Sequence, residues 1–336
     1  SAEFGHMGDG TRDENAHPTP MAMPYQDAVS VRLSRWANHV ITKTGELWVA
    51  GIDNHGQLPF ETKTAKRVTG IDAVRDAVGS YNVGCILTEA KGEVLCRGDN
   101  ALGEVGDGTT EDRNTYTPTK LSGVTSMAAG EHFFCAVSGS GKVPCWGDNS
   151  KGQMGDGQGG DGKTRKTPMG LSLPGEIVEV AASSQHVCAR TNDGDVYCWG
   201  INWGGQAGTS NGTQCGPHDC IKSPKKVPVQ NAVALALADA ASCAVLSNGT
   251  VQCWGESSLT EGAKALTDVV EIASGQEANH FCVRTSSPDE VLCWGDSDSA
   301  GQLGRGTVDT NSASRRTPKK ALLPYRCRRR AASTAP

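Results

Sequence analysis

The side chains with the widest chemical repertoire in this sequence are its 13 cysteines: Cys85, Cys96, Cys135, Cys145, Cys188, Cys198, Cys215, Cys220, Cys243, Cys253, Cys282, Cys293 and Cys327. A thiol can ligate a metal, attack an electrophile or pair with another thiol. Zinc sites usually take two pairs of ligands whose members lie two to four residues apart, and no such double pair occurs here. The first twelve cysteines instead fall into consecutive pairs, five of them 10 or 11 residues apart. That pattern predicts disulfides and an oxidising compartment, and it leaves Cys327 over. For Cys215 and Cys220, which bracket His218, a loop-stapling disulfide is preferred to a metal site.

Other strings suggest chemistry and are weighed the same way. Gly157 to Thr164 satisfies the phosphate-loop expression GxxxxGK[ST], and Gly155, Gly157 and Gly160 satisfy GxGxxG. Phosphate binding by such a loop needs a helix directly after it. Pro168 arrives four residues after Thr164, so a variable loop is expected and no nucleotide. Asp107, Glu111, Asp112, Asp156 and Asp161 lie in Gly-rich loops where calcium could bind, but solvated turns are the simpler reading. His39, His132, His186 and His280 recur at nearly the same place along the chain. A general base is a single residue with a nucleophile in reach, so recurring histidines are read as structural. Trp146, Trp199, Trp254 and Trp294 are read as packing. There is no GxSxG, HExxH or paired-carboxylate motif. The expectation is no catalytic residue, no cofactor and no metal.

The elements that position these residues repeat. Residues 186–208 (HVCARTNDGDVYCWGINWGGQAG), 133–155 (FFCAVSGSGKVPCWGDNSKGQMG), 281–304, 84–106 and 242–255 share one outline, and residues 39–58 repeat it without cysteines. The Gly after the Trp falls at Gly51, Gly98, Gly147, Gly200, Gly255 and Gly295, which makes six copies of about 50 residues. VCART and DVYCW alternate faces and flank Asn192-Asp193-Gly194, a hairpin with a three-residue turn. In that register Cys188 faces Cys198, within disulfide reach. In the first copy Ile41 and Val49 are expected to replace the cysteine pair. Short apolar runs such as 124–130 and 269–275 precede each hairpin. They end in small residues, which suits strands crowded around an axis.

Composition agrees. With 42 Gly and 15 Pro in 336 residues the chain cannot be mostly helical. It holds no apolar run long enough to span a membrane as a helix. A net charge of −5 argues against nucleic-acid binding driven by phosphate contacts.

The pattern HxCAVxxxGxVxCWGxNxxGQxG resembles the regulator-of-chromosome-condensation repeat family, and its cysteine-bearing form is similar to that of secreted bacterial members. The resemblance covers about nine-tenths of the chain. It implies an all-β fold: a β-propeller of four-stranded blades, here six, or seven if one is too degenerate to read. The ring would be closed by its N- and C-terminal segments, with residues near 29–50 beside residues near 295–324. Departures from the pattern are Ala50-Gly51 for Trp-Gly, Pro59 for the last Gly, Arg97-Gly98, and the lack of GQxG after Trp254-Gly255. The Gly-Trp-Arg-His-Thr motif of the family's plant ultraviolet-B photoreceptor is absent.

Residues 27–325 are thus expected to form one propeller domain. Residues 1–26 are read as an expression scar (SAEFGHM) with a flexible segment, and residues 326–336 as a basic, disordered tail. Asn211-Gly-Thr213 and Asn248-Gly-Thr250 are glycosylation sequons. Segments that break the repeat guide the functional reading, because scaffold positions recur and partner-specific ones need not. Residues 107–117, 156–167 and 209–223 all follow the GQxG element and should cluster on one rim. With them come candidate partner-binding residues Arg113, Tyr116, Lys163, Arg165, Lys166, Trp203 and His218. The expectation is a secreted or cell-surface, monomeric, non-enzymatic scaffold. It would bind an unknown protein or glycan, with no nucleic-acid partner and no membrane insertion. The resemblance also implies two rivals: nucleotide exchange on a small GTPase, as in the family's founding nuclear member, and an envelope enzyme with a central-channel site.

Overall fold

The computed structural model describes residues 27–209, 212–275, 278–299 and 301–322. Residues 1–26, Asn211 of the first sequon, the basic tail and Cys327 lie outside the described residues. The chain folds into six antiparallel meanders, each running from an inner to an outer strand. Blade 1 is β1 (Ala28–Leu33), β2 (Ala37–Thr42), β3 (Leu47–Gly51) and β4 (Thr62–Arg67). Blade 2 is β5 (Val74–Gly79), β6 (Val83–Thr88), β7 (Val94–Gly98) and β8 (Arg113–Pro118). Blade 3 is β9 (Val124–Ala129), β10 (Phe133–Ser138), β11 (Val143–Asp148) and β12 (Thr164–Leu171). Blade 4 is β13 (Ile177–Ala182), β14 (His186–Thr191), β15 (Val196–Ile201), β16 (Thr213–Cys215) and β17 (His218–Lys226). Blade 5 is β18 (Ala232–Leu237), β19 (Ala241–Leu246) and β20 (Val251–Gly255), followed by α1 (Ser257–Thr260) and a 3-10 turn, Glu261–Ala265. Blade 6 is β21 (Val269–Ser274), β22 (His280–Ser286), β23 (Asp289–Gly295), α2 (Ser312–Arg316) and β24 (Lys319–Lys320).

This is the expected all-β propeller ring of six blades, with two corrections to the strand count. Blade 4 has five strands, because the Cys215–Cys220 loop forms the extra hairpin β16–β17. Blade 5 has three, because after β20 the chain passes through α1 and the 3-10 turn, packed in the core shared with blade 6, and forms no outer strand. Inner strands wall one central channel of about 360 Å³, lined largely by Val, Ala and Leu, with Arg32 and Leu33 of β1 and Ile272, Ala273 and Ser274 of β21 on the same wall.

The cysteines pair as the spacing predicts. Cys85–Cys96, Cys135–Cys145, Cys188–Cys198, Cys243–Cys253 and Cys282–Cys293 are directly opposed on neighbouring strands, with Cα atoms 4.0–4.1 Å apart. In blade 1 the register differs from expectation. His39, not Ile41, faces Val49, while Ile41 faces Leu47. His39 therefore stands in a cysteine's place. His186 and His280 lie opposite Gly200 and Gly295, and His132 sits in the turn before β10, so the four histidines are not equivalent.

The repeated motif has a mechanical meaning. In blades 3 to 6 the indole Nε1 donates across the seam to a main-chain carbonyl of the blade before it: Trp146 to Glu104 (2.8 Å), Trp199 to Gln153 (2.6 Å), Trp254 to Gln206 (2.9 Å) and Trp294 to Leu259 (2.8 Å). Arg97 does the same in blade 2, donating to Gly56 (2.6 Å). The Asn of GxN ties the following turn: Asn100, Asn149 and Asn202 accept from the amides of Val105, Met154 and Ala207 at 2.9–3.0 Å. Glycine must follow the Trp, since a Cβ at Gly147, where φ is +99°, would lie 2.3 Å from the His132 carbonyl.

The seam from blade 6 to blade 1 is different. Neighbouring inner strands pack against each other through blades 1 to 6, but among the described residues no strand of blade 1 makes an extended contact with a strand of blade 6. Val31 is 53% exposed, whereas its counterparts Ala77, Met127, Val180 and Leu235 are 0–7% exposed.

Candidate functional site

In a meander the turn from first to second strand and the loop from third to fourth emerge at the same end. The inner turns 34–36, 80–82, 130–132, 183–185 and 238–240 therefore share one face with the long irregular loops. Hydrogen bonds join the inner turns in series around the channel mouth. Tyr81 N–H and Ser80 Oγ donate to the Glu131 carbonyl (3.1 and 2.6 Å), and Glu131 N–H donates to the Ser184 carbonyl (2.9 Å). Ser184 Oγ donates to Asp239 Oδ1 (2.5 Å), and Asp239 N–H to the Ala278 carbonyl (3.1 Å).

At the centre is a cavity of about 380 Å³ lined by Arg35, Glu131, Ser184, Gln185, Ile201, Trp203 and Asp239. Trp203 is 57% exposed, unlike the buried seam tryptophans Trp146, Trp199 and Trp294. The Arg35 guanidinium lies 4.4 Å over the Tyr81 ring and 5.0 Å over Trp36. Trp36 meets Tyr81 edge-on at 5.9 Å, and Tyr81 lies 5.4 Å from the His132 ring. Gln185 Nε2 donates to Glu131 Oε2 (3.1 Å).

Electrostatics sort these groups. Burial raises the Asp239 pKa above the ordinary carboxylate range, the nearby Glu131 charge adds to that, and the Ser184 hydrogen bonds oppose it. His132 is raised, foremost by its hydrogen bond to Glu104 (3.2 Å). Burial pushes His186 down to about 3 and His39 down to about 4, so both are neutral. Ser183 Oγ lies 2.6 Å from His186 Nδ1, and Ser242 Oγ lies 2.8 Å from Nε2. That has the spacing of a nucleophile and base, but all three residues are buried from substrate. In the channel wall Glu179 pairs with Arg190 (2.6 Å) and Arg32 with Asp76 (3.1 Å).

The structure places the residues chosen from the sequence as follows. Trp203 lines the cavity. Arg113 pairs with Asp107 (2.6 Å) and Glu111 (3.3 Å), and Arg165 with Asp156 (2.6 Å), so these guanidinium groups brace their own loops. Lys163 and Lys166 are exposed, and their carbonyls accept from Asn149 (2.8 Å) and Gly108 (2.9 Å). His218 is exposed in the β16–β17 hairpin. Tyr116 packs into the core between blades 1 and 2, with Arg97 5.4 Å from its ring. Burial raises its phenol pKa. The loops of blades 2, 3 and 4 follow one another, through Gly108 to Lys166 and Gly157 to Lys222 (both 2.9 Å). At Gly157–Thr164 strand β12, not a helix, follows the loop. Among the described residues no group of three His, Cys, Asp or Glu side chains could hold a metal ion, and no helix is long and apolar enough to cross a membrane.

Arg35, Tyr81, Glu131, Ser184, Gln185 and Asp239 were missed by sequence reasoning. The available signal was position: each stands in the turn before the hairpin, where the repeats differ while their flanks agree.

Comparison with known proteins agrees with this architecture. Two models of the regulator of chromosome condensation (RCC1) repeat match, one at residues 124–153 and 177–206, the other at 140–190. The E3 ubiquitin-protein ligase HERC2 of Homo sapiens and that of Mus musculus are each 32% identical over 186 residues, covering 52% of this chain and 4% of the ligase. The X-linked retinitis pigmentosa GTPase regulator of Homo sapiens is 28% identical over 204 residues, covering 58% of this chain and 15% of the regulator. The chain thus spans a small fraction of the curated relatives it matches. Among solved structures, human WBSCR16 superposes with a TM-score of 0.76 at 20% identity, covering 91% of this chain and 85% of that one. Prp20p from Saccharomyces cerevisiae, studied for its binding to Gsp1p and histones, superposes with 0.77 at 17% identity, covering 95% and 84%. At such identities the likeness concerns the fold.

Proposed function

We propose that the chain is a secreted, non-enzymatic scaffold that captures a partner protein on the face bearing the inner turns. Trp203, Arg35 and the Glu131–Asp239 carboxylates would lie at the centre, with Arg113, Lys163, Arg165, Lys166 and His218 around the periphery. The observation that carries this reading is the exposed indole of Trp203 beside a cavity whose polar groups are already fixed by hydrogen bonds. Exposed aromatic and arginine side chains over a preorganised surface are what binding hot spots are made of. Six disulfides fit an extracellular protein and support secretion.

The test is affinity capture of extracellular proteins on the immobilised, oxidised chain, followed by titration of the captured protein. Trp203→Ala is expected to weaken binding about 30-fold, the loss typical of a hot-spot side chain. Unchanged affinity for both Trp203→Ala and Glu131→Gln would remove the inner-turn face from consideration. The alternative of exchange on a small GTPase predicts accelerated release of labelled GDP, an effect the scaffold reading does not produce.

A further inference from the structure

Blade 5 lacks what its sisters have. In the other blades the outer side of the third strand is paired, at Val49 with Lys66, Cys96 with Thr117, Cys145 with Met169, Cys198 with Lys225 and Cys293 with Lys319. Among the described residues strand β20 pairs with β19 alone. The carbonyls of Leu47, Val94, Val196 and Val291 accept from the returning chain at 2.8–3.0 Å. Val251 holds that place in blade 5, but the returning residue, Leu266, donates to Ala263 instead (3.1 Å). Segment 257–265 cannot fold back onto the edge, because Leu259 and Ala263 are committed to the core between blades 5 and 6.

The neighbouring blade records the same difference. A Cβ at Gly56, Gly103 or Gly152 would lie 3.0–3.7 Å from a carbonyl of the next blade's outer strand. Gly205, the counterpart before blade 5, meets only Gly255 Cα, at 4.0 Å. A groove of about 280 Å³ runs there, walled by Gly204, Gly205, Val227, Val229, Gln252 and Trp254. Trp254 is accordingly the half-buried one among the four seam tryptophans.

We propose that the outer edge of β20 is a docking site for an extended segment of a partner protein, which adds to blade 5 as its fourth, antiparallel strand. A row of alternating main-chain donors and acceptors beside an apolar groove is recognised by another strand, with side chains at alternate positions filling the groove. Sister blades fix the register: residues opposite Val251, Cys253 and Gly255 correspond to Leu171, Met169 and Arg165 of β12. They also set the chemistry. In three blades an acid that precedes or opens the third strand pairs with a base of the outer strand, at Glu46–Arg67 (3.2 Å), Asp195–Lys226 (2.6 Å) and Glu290–Lys320 (2.6 Å), while Glu93 of blade 2 pairs with Lys91 (3.8 Å) instead. Blade 5 has Thr250 there and blade 3 has Lys142, whose outer strand ends Met169-Gly170-Leu171. The docking segment is therefore extended and aliphatic at that end. This site is distinct from the inner-turn cavity and does not depend on it.

The probe is a fluorescein-labelled peptide copying residues 163–171, titrated against the oxidised full chain by anisotropy, together with the same peptide N-methylated at the positions of Met169 and Leu171. Saturable binding is expected, at least tenfold weaker for the methylated peptide and tenfold weaker for Gly204→Leu, with hydrogen exchange slowed at Val251, Cys253 and Gly255. Absence of saturable binding, equal affinity of the methylated peptide, or protection confined to other strands overturns the proposal. So does a dimer of the free chain in which this edge is already protected, since the occupant would then be a second copy.

Discussion

Replacing Trp199 by Phe tests whether the seam indoles act as hydrogen-bonded latches or only as packing. Trp199 is fully buried, and its Nε1 is 2.6 Å from the carbonyl of Gln153, itself 2% exposed. Phenylalanine keeps most of the apolar contact but removes the donor. A buried carbonyl left without a partner costs about 1–3 kcal/mol, and the smaller ring adds about 1 kcal/mol for the space it leaves. The total is about 2–4 kcal/mol. Trp254→Phe is the internal control. The Gln206 carbonyl it leaves behind also accepts from Ser242 Oγ (3.0 Å), and the half-buried site admits water, so the cost is about 1 kcal/mol or less. Urea unfolding followed by far-ultraviolet circular dichroism, under oxidising conditions, gives both midpoints. At about 2 °C per kcal/mol for a domain of this size, heating should separate the two variants by several degrees. Equal losses, or a larger loss for Trp254→Phe, would refute the latch and leave only bulk.

Two further outcomes follow from burial. His39 and His186 have folded pKa values lowered to about 4 and about 3 from 6.5, so their contribution is complete above pH 6.5 and is lost as pH falls through the interval down to those values. At pH 5 the loss is about 2 kcal/mol for each; His39→Leu should reduce the drop in stability between pH 7.5 and 5 by about 2 kcal/mol, and an unaltered drop would show that His39 does not titrate in the unfolding transition. Cys253 and Cys282 are only partly buried, whereas Cys85, Cys96, Cys135, Cys145, Cys188 and Cys198 are 0–1% exposed; limiting reductant followed by alkylation and mass mapping should therefore label the bridges of blades 5 and 6 first, and first labelling of Cys188–Cys198 would contradict it.

The disulfide wheel was legible because strand pairing is arithmetic: a cysteine 10 or 11 residues from its mate, across a short Gly-containing turn, has little choice of partner. Blade 1 was misread because it carries no cysteine to anchor the register, and Ile41 is as plausible by composition as His39. The loss of the fourth strand in blade 5 was visible as the missing GQxG after Trp254, but not its consequence, since the helical turn 257–265 is set by Leu259 and Ala263 packing against Phe281 and Trp294, contacts from the next repeat. The cavity was not legible. Its residues come from four inner turns spread over some 200 positions and from Ile201 and Trp203 at the end of β15 and just beyond, and only closure of the ring brings Arg35, Glu131, Gln185 and Asp239 around one mouth. Arg113 and Arg165 looked available because sequence does not show that Asp107 and Asp156 lie across their own loops.

The latches bear on function through where they are missing. Blade 1 has Ala50 at the latch position and His39 at a cysteine position, and it is also the blade whose inner strand stands exposed. Seams between blades 2, 3, 4 and 5 each carry both an indole latch and buried bridges. Glu131, Ser184, Gln185, Trp203 and Asp239 all belong to blades 3 to 5, inside that latched sector, and Arg35 comes from blade 1. Most of the proposed binding face is therefore ordered before any partner arrives, so binding need not spend energy arranging it. Arg35 is held from its own side by Trp36 (5.0 Å) and across the seam of blades 1 and 2 by Tyr81 (4.4 Å).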